Sequence, residues 1–283
     1  MGEVISVVSG KGGVGKTTLV ANVSIALSEL GFSVLMIDAD ITMSNLSLLI
    51  GINNPPITLT DVLLGSASVK DATYDGPKKT KIIPSSLSLS SFQKIDSDKL
   101  VSIVKDIKDQ YDYVLIDSPA GIEKNVISSM VAATQILLIT EPTSPSVADV
   151  FKIKIIAERL NLRMLGVIIN KVSNIKGEIQ EKDIVRMLEL PCYGKIPYTE
   201  DIRESFLLQK IEPVIIHKPT SVSAEAFRAI ARRISGKEVQ VVQSKERKGI
   251  FSLFLKLFSK NKKIKRWIYG TRVKNNKTIR YAK

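Results

Sequence analysis

The stretch GKGGVGKTT, residues 10–18, constrains the fold of this chain more than any other part of its sequence. It contains the pattern G-x-x-x-x-G-K-[ST] and lies between an apolar run, 4–9, and a segment of helical spacing, 18–30. Glycines allow consecutive backbone N–H groups to converge on phosphate oxygens, and the following helix adds the positive end of its dipole. The sequence therefore predicts a strand, a phosphate-binding loop and a helix, in that order.

Apolar runs alternate with helical segments along the next two hundred residues. Further strands are predicted at 34–37, 113–116, 136–140 and 165–169, and further helices at 98–108, 147–160, 182–190 and 224–234. This alternation indicates an α/β fold: a doubly wound, mostly parallel sheet with helices on both faces, of the P-loop NTPase type. Ligands of such sheets bind beyond the carboxyl ends of the strands.

The positive charge of the chain is confined to its C-terminal part. Residues 245–283 hold 14 of the 41 lysines and arginines but one of the 28 acidic residues, so this segment accounts for the whole net charge of +13. The remaining residues are neutral overall. Composition therefore does not indicate a basic, nucleic-acid-binding face on the folded domain.

The single cysteine, the single histidine and the lack of long apolar runs exclude several classes of protein. Cys192 is the only cysteine, which excludes an intramolecular disulfide, and it is expected to enter a buried strand as a small apolar residue. The only histidine, His217, cannot form a metal cluster or a nucleophilic triad and is expected at the surface. The sequence shows neither a secretory signal nor a long enough uncharged apolar run for a bilayer, so a cytoplasmic protein is expected.

The phosphate loop predicts ATP·Mg²⁺ as ligand. Lys16 is expected to pair with the β- and γ-phosphates, and the Thr17 hydroxyl to hold Mg²⁺. Nucleotide contacts are expected from Gly10, Lys11, Gly12, Gly13, Val14, Gly15, Lys16, Thr17 and Thr18.

Three aspartates follow predicted strands at the same edge of the sheet. Asp117 ends the apolar run 113–116, and Asp38 and Asp40 follow the run 34–37. Carboxylates there can hold Mg²⁺, directly or through water, and can orient or deprotonate an attacking water. The alternative, that each aspartate only caps a helix, weakens because all three converge on one phosphate loop.

Lys11 distinguishes this loop from other loops of the same pattern. Together with IDAD (37–40), SNL (44–46) and DSPAGIE (117–123), it resembles the MinD/ParA/nitrogenase-iron-protein group of ATPases, which carry a second lysine early in the loop. Shorter matches follow in the same order: SVAD (146–149), INK (169–171), GKIP (194–197) and EPVI (212–215). The resemblance covers about residues 3–236, and DSPAGIE favours the MinD branch over the ParA branch.

The resemblance implies an ATPase that forms a homodimer around ATP. Lys11 is expected to cross the dimer interface and stabilise charge on the transferring phosphoryl group of the partner's ATP, which links hydrolysis to dimerisation. Asp40 is expected to position the attacking water, so that the implied catalytic set is Lys11, Lys16 and Asp40. Asp38 and Asp117 are expected near Mg²⁺ with Thr17.

The resemblance also assigns contacts outside the phosphates. Asn170 and the backbone around Pro197 are expected to hold the adenine. Asn45 and Asp149, with Lys11, are expected at the dimer or partner surface.

Two other functions share this loop. An Fe–S carrier needs paired cysteine ligands, and Cys192 is alone. A ParA-type ATPase that binds nucleic acid for DNA segregation needs a basic surface, which the neutral body does not offer but the tail does.

The tail begins with a predicted amphipathic helix at 249–260. On a helical wheel its apolar side chains fill an arc of about 200°, and the lysines and serines fill the rest. Such a helix suits the interface of an anionic membrane, and proteins of the MinD branch end in a helix of this kind. The membrane contacts are expected from Ile250, Phe251, Leu253, Phe254, Leu257 and Phe258.

Residues 261–283 depart from the MinD pattern, in which the chain typically stops soon after the helix. They hold nine lysines and arginines together with Trp267, Tyr269 and Tyr281, which suits lipid or nucleic acid, with lipid favoured because the membrane helix is adjacent.

The predicted organisation is thus an ATPase domain (1–236), a linker (237–248), the membrane helix (249–260) and a basic tail (261–283). We expect a cytoplasmic protein peripherally bound to the inner face of the cell membrane, which positions cell division or another structure with an activator or cargo protein.

Overall fold

The residues before the glycine loop form a strand because they are apolar or small and are buried on both faces of a sheet. In the computed structural model, which describes residues 2–86, 98–207 and 211–237, this strand lies in the interior of an eight-stranded sheet. The strands are β1 (Glu3–Val8), β2 (Val34–Asp38), β3 (Tyr74–Asp75), β4 (Lys81–Ile83), β5 (Tyr113–Asp117), β6 (Gln135–Thr140), β7 (Met164–Val172) and β8 (Cys192–Pro197).

Ten α-helices connect these strands within the described residues. They are α1 (Lys16–Glu29), α2 (Leu46–Leu49), α3 (Leu59–Leu64), α4 (Lys99–Ile107), α5 (Lys124–Ala132), α6 (Ser144–Arg159), α7 (Glu181–Leu188), α8 (Glu200–Ser205), α9 (Val214–His217) and α10 (Val222–Ile234). Short 3-10 turns occur at Pro77–Lys79 and Lys108–Gln110.

The sheet is doubly wound. Its strand order is β3-β4-β2-β5-β1-β6-β7-β8, and every pair is parallel except the antiparallel β3/β4 edge. The chain starts in the interior at β1 and winds outward in both directions, so β5 lies on one side of β1 and β6 on the other. The predicted fold class is confirmed, as are all five strands and the helices predicted along this part of the chain.

The side chains of each strand alternate between two layers of the core. Ile5 and Val7 of β1 belong to one hydrophobic cluster with α1 and α10, whereas Val4 and Val8 point into the clusters on the opposite face. That opposite face is covered by α3 and α4 at one end and by α5, α6 and α7 at the other. Burial on both faces explains why the strands read as continuous apolar runs.

Parallel pairing brings the carboxyl ends of β1, β2, β5, β6 and β7 to one edge of the sheet. Asp38 at the end of β2 lies directly beside Asp117 at the end of β5 in the ladder. The phosphate loop starts at the same edge, at the end of β1, which lies between β5 and β6. The candidate site is assembled here from segments that are far apart in the sequence.

The membrane helix (249–260), most of the linker (237–248) and the basic tail (261–283) lie outside the described residues, so these assignments stay predictions. Among the described residues, no helix has the length and apolar character needed to cross a bilayer.

Candidate nucleotide-binding site

The phosphate loop adopts a conformation that presents backbone N–H groups. Gly13 and Gly15 have φ of 75° and 103°, the left-handed region that glycine adopts without strain. Gly15 is the N-cap of α1, and no side chain accepts a hydrogen bond there from the first turn of the helix. These N–H groups and the positive end of the helix dipole are available to an anion.

Two glycines bring the loop close to residues that follow distant strands. A Cβ built on Gly10 would lie 2.5 Å from the backbone carbonyl carbon of Asp149, and one built on Gly15 would lie 2.3 Å from Asn170 Nδ2. A side chain at Gly10 would meet the backbone of Asp149, and one at Gly15 would displace the Asn170 amide and adopt a strained φ. The loop therefore packs on α6, which carries Asp149, and on the end of β7, which carries Asn170.

Lys16 is held inside the loop. Its residue is 8% exposed, and its Nζ donates a hydrogen bond to Ser9 Oγ over 3.2 Å. Burial lowers the pKa of Lys16, while the nearby carboxylates of Asp117 and Asp40 raise it. Its ammonium therefore lies close to Asp117, predicted near Mg²⁺, and to Asp40, predicted to position the attacking water.

Asp117 offers oxygen atoms suited to a hard cation. It is 2% exposed, its Oδ1 has no hydrogen-bond partner among the described residues, and its carboxylate accepts a hydrogen bond from the Thr17 hydroxyl. A buried carboxylate oxygen without a partner is costly unless a ligand satisfies it. Asp117 and Thr17 therefore fit Mg²⁺, which takes oxygen ligands and usually keeps several waters.

Asp38 is buried and already hydrogen-bonded. Its Oδ1 accepts from the N–H of Asp40 over 3.1 Å, and its Oδ2 accepts from Ser44 Oγ over 2.8 Å and from the N–H of Leu46 over 3.3 Å. Burial and the neighbouring Asp117 raise the pKa of Asp38 to about 8, against these donors. Asp38 therefore organises the loop after β2, and any contact with a cation would compete with these donors.

Asp40 lies at the mouth of the site and is partly exposed. Its Oδ1 accepts from Thr42 Oγ1 over 2.9 Å and from the N–H of Met43 over 3.0 Å, a local turn that fixes the carboxylate. The other oxygen remains for a water molecule or another ligand.

Lys11 is paired within its own subunit. Its side chain is 38% exposed, and its Nζ lies 3.3 Å from Glu141 Oε2. Glu141 also contacts Lys171, whose Nζ lies 2.8 Å from Oε1 and donates to the carbonyl oxygen of Gly13 over 2.7 Å. Burial opposes ionisation of Glu141, but the two lysines outweigh it and hold the pKa of this carboxyl below its usual value.

The side-chain amide of Asn170 binds the backbone of the phosphate loop. Asn170 is 6% exposed, its Nδ2 donates to the carbonyl oxygen of Val14 over 2.6 Å, and its Oδ1 accepts from the N–H of Lys171 over 2.9 Å. One amide hydrogen and one lone pair of Oδ1 remain for a base. Pro197 ends β8 at the same edge of the sheet.

The residues predicted at the dimer or partner surface lie on two sides of the loop. Asp149 packs against Gly10 and pairs with Lys152, with Oδ1 and Nζ 2.8 Å apart. Asn45 is exposed at the N-cap of α2 and donates through Nδ2 to the carbonyl oxygen of Met43.

Sequence reasoning missed several polar residues of this edge. Glu141 directly follows β6 and Ser9 directly follows β1, and their position after a strand was the available signal. Lys171 follows Asn170 in the sequence and contacts Gly13 and Glu141. Its backbone is left-handed, with φ of 56°, and no sequence pattern predicts that conformation.

Comparison with known proteins agrees with this geometry. The profile of the CobQ/CobB/MinD/ParA nucleotide binding domain matches residues 5–211. The chain belongs to the MinD/ParA family. It is 37% identical over 256 residues to an uncharacterised ATP-binding protein of Methanocaldococcus jannaschii, which covers 90% of this chain and 96% of that protein.

Two solved structures of the MinD/ParA family are similar to the described fold. The cell division ATPase MinD of Pyrococcus furiosus is 37% identical with a TM-score of 0.80, and the match covers 84% of this chain and 100% of that one. The septum site-determining protein MinD of Pyrococcus horikoshii, complexed with Mg-ADP, is 36% identical with a TM-score of 0.79, over 85% of this chain and 100% of that one.

The cysteine prediction is confirmed in this MinD/ParA-family chain. Cys192 begins β8, is 8% exposed, and burial raises the pKa of its thiol to about 11. In the part of the chain that the structure describes, no group of three or more His, Cys, Asp or Glu side chains is arranged for a metal ion.

Replacement of Gly10 by alanine is expected to weaken nucleotide binding by about tenfold or more, which corresponds to a loss of about 1.4 kcal/mol of binding free energy. The added methyl would meet the backbone of Asp149 at 2.5 Å, so the loop or α6 must shift. Titration with a fluorescent ATP analogue measures the effect. Gly12→Ala, in the same loop, is the comparison: its methyl would meet no protein atom within 4 Å, so a loss there would reflect only contact with the nucleotide and should be smaller. Equal affinities for both variants would contradict the close packing of Gly10.

The stability of the nucleotide-free protein is expected to fall as pH rises. The ordinary pKa of an aspartate is 3.8. Burial, and next the charge of Asp117, raise the pKa of Asp38 to about 8, and burial raises the pKa of Asp117 to about 6. The folded state therefore binds more protons than the unfolded chain in this window, and stability is lost between about pH 4 and pH 8.

Asp117→Asn should raise the free energy of unfolding at pH 8 and raise it less at pH 5, although Lys16 then loses part of its counter-charge. Urea unfolding without nucleotide measures this difference. Asp75→Asn, which changes a carboxylate that is 85% exposed, is the control and should show no comparable pH-dependent gain. A loss of stability in Asp117→Asn that is equal at both pH values would contradict the argument.

Proposed function

We propose that this protein hydrolyses ATP to ADP and phosphate, and that ATP makes it a dimer which binds the inner face of the cell membrane. The observation that supports hydrolysis most directly is the convergence of Lys16, Asp40 and Asp117 on a loop with uncapped N–H groups. The family match and the Mg-ADP complex of the Pyrococcus horikoshii relative support ATP and Mg²⁺ as ligands.

In the proposed reaction, this chain binds the phosphates and places a water molecule. N–H groups of residues 10–18 and the ammonium of Lys16 take up the phosphate charge. Thr17 and Asp117 would hold Mg²⁺, which supplies positive charge to the β- and γ-phosphate oxygens when bound. Asp40 orients the water, whose oxygen forms a bond to the γ-phosphorus as the bond to the ADP oxygen breaks; ADP leaves with that electron pair, and a proton of the water passes to the released phosphate.

Lys11 is the residue proposed to act on a second subunit. Its ion pair with Glu141 is partly exposed, and such pairs contribute at most about 1 kcal/mol. Since Glu141 also has Lys171 as a partner, it stays compensated when Lys11 leaves. The ammonium of Lys11 is therefore free to exchange its own carboxylate for the phosphates of the partner's ATP.

The proposed cellular role is to position cell division or another cellular structure, with an activator or cargo protein. Support comes from the two Pyrococcus relatives, one a cell division ATPase and the other a septum site-determining protein. Asp149 and Asn45, on opposite sides of the loop, are the proposed contacts with the partner.

Membrane attachment is proposed from the sequence of 249–260. One helix with few apolar side chains binds a bilayer weakly and reversibly. Two such helices on a dimer act together, because insertion of the second is intramolecular and raises avidity by roughly 10²- to 10⁴-fold. The nucleotide state would then set how long the protein stays on the membrane.

Lys11→Ala is expected to abolish ATP-dependent dimerisation and to lower ATP turnover by about tenfold or more, because the partner's phosphates lose a cation in the transition state. Light scattering after gel filtration and phosphate release measure both effects. Lys81→Ala is the matched control, since Lys81 of β4 is 40% exposed and pairs with Asp75 of β3, away from the phosphate loop. Dimerisation and turnover of Lys11→Ala equal to those of the control would refute the role in trans.

Liposome sedimentation tests the membrane switch. With anionic vesicles, the full-length protein should pellet with ATP and stay largely soluble with ADP or without nucleotide, and a chain ending at Arg247 should not pellet under any condition. Pelleting that ignores the nucleotide, or that persists after truncation, would contradict the switch.

A DNA mobility-shift assay at stated salt decides the rival function. ATP-dependent binding of DNA by the full-length chain, without binding of vesicles, would favour the ParA-type alternative, in which the basic tail 261–283 contacts nucleic acid.

A further inference from the structure

Ser85 lies where β2 and its neighbour β4 both end. These strands pair in parallel as far as Ile37 and Ile83, and the next residue on the β4 side is Pro84, which has no N–H to extend the ladder. The Ser85 hydroxyl serves instead and donates to the backbone oxygen of Asp38 over 2.6 Å. Ser85 is 3% exposed, so this bond satisfies a buried carbonyl.

The carbonyl oxygen of Ser85 makes a second contact with the same region. It accepts a hydrogen bond from Ser44 Oγ over 2.6 Å, and the same Ser44 hydroxyl lies 2.8 Å from Asp38 Oδ2. One hydroxyl hydrogen is thus shared between two acceptors. If Asp38 Oδ2 engages another ligand, Ser85 still holds Ser44.

The first part of the loop that follows β2, residues 39–45, is held on the sheet: the N–H of Ala39 donates to the carbonyl oxygen of Asp117 over 2.9 Å, and Ala39 and Ile41 are buried. The rest of the loop is bonded mainly to itself. The N–H of Asp40 donates to Asp38 Oδ1, and Asp40 Oδ1 accepts from Thr42 and Met43. Met43 is 72% exposed, so the outer part of the loop faces solvent. Ala39 and Ile41 fix the first part of the loop, and the contacts of Ser44 and Asp38 with Ser85 fix its last part at the end of β4.

We propose that Ser85 is a positioning residue that anchors the loop 39–45, and with it the carboxylate of Asp40, to the end of β4. The role in turnover rests on the proposed function, in which Asp40 orients the attacking water. The anchoring itself does not depend on that function.

Hydrogen exchange of the nucleotide-free, full-length protein tests the anchor without any reaction. In Ser85→Ala, amides of residues 39–46 should exchange at least about fivefold faster than in the wild type, because a buried carbonyl loses its donor and the loop opens more often. Ser86→Ala is the matched control: its hydroxyl lies 3.2 Å from Thr58 Oγ1 rather than against Asp38. Unchanged exchange in Ser85→Ala, or equal acceleration in Ser86→Ala, would overturn the proposal.

Steady-state kinetics tests the consequence. Ser85→Ala should lower kcat for ATP by about tenfold with KM within about twofold, because loop position affects the water more than the phosphates. Ser85→Thr, which keeps the hydroxyl, should recover most of kcat. Loss of kcat in Ser85→Ala that Thr does not restore, when Thr does restore the exchange pattern, would overturn the link from anchor to turnover. Absence of hydrolysis in the wild type would instead overturn the proposed function, and the exchange comparison would still decide whether Ser85 anchors the loop.

Discussion

The rest of the site depends on one buried positive charge, the ammonium of Lys16. Burial disfavours this charge, and the carboxylates of Asp117 and Asp40 compensate it. The charge on Asp117 is itself disfavoured, first by burial and then by the nearby Asp40, which together raise its pKa to about 6 against the favourable effects of Thr17 and Lys16. The buried charges of Lys16 and Asp117 therefore stabilise each other. The parallel sheet makes this balance possible, because it delivers the end of β5 and the end of β2 to the same edge as the loop after β1.

Much of this arrangement could be predicted from the sequence because it is encoded in short segments. The phosphate loop carries its own conformation in Gly13 and Gly15, and continuous apolar strands require a sheet covered on both faces. Once the sheet is parallel, Asp38 and Asp117 must lie at the same edge, since each ends a strand; they lie side by side because β2 and β5 are neighbours. The edge positions follow from topology alone, without knowledge of any side-chain contact.

What could not be predicted are contacts between single polar residues far apart in the chain. Lys11 and Glu141 are 130 residues apart, and nothing in either segment indicates the other. The hairpin β3/β4 was missed because its strands are two and three residues long, too short for a periodic pattern. Asp38 was expected near Mg²⁺, and the sequence did not indicate that Ser44 and Leu46 already satisfy its carboxylate.

The absence of a side chain at Gly10 also has a mechanical consequence. Because backbone meets backbone at Asp149, no flexible group lies between the loop and α6 to absorb a displacement. α6 has 16 residues and is thus about 24 Å long. A displacement of the loop at Gly10 would therefore act directly on the backbone of this helix, and a tilt of the helix would move its far end at Arg159 the most.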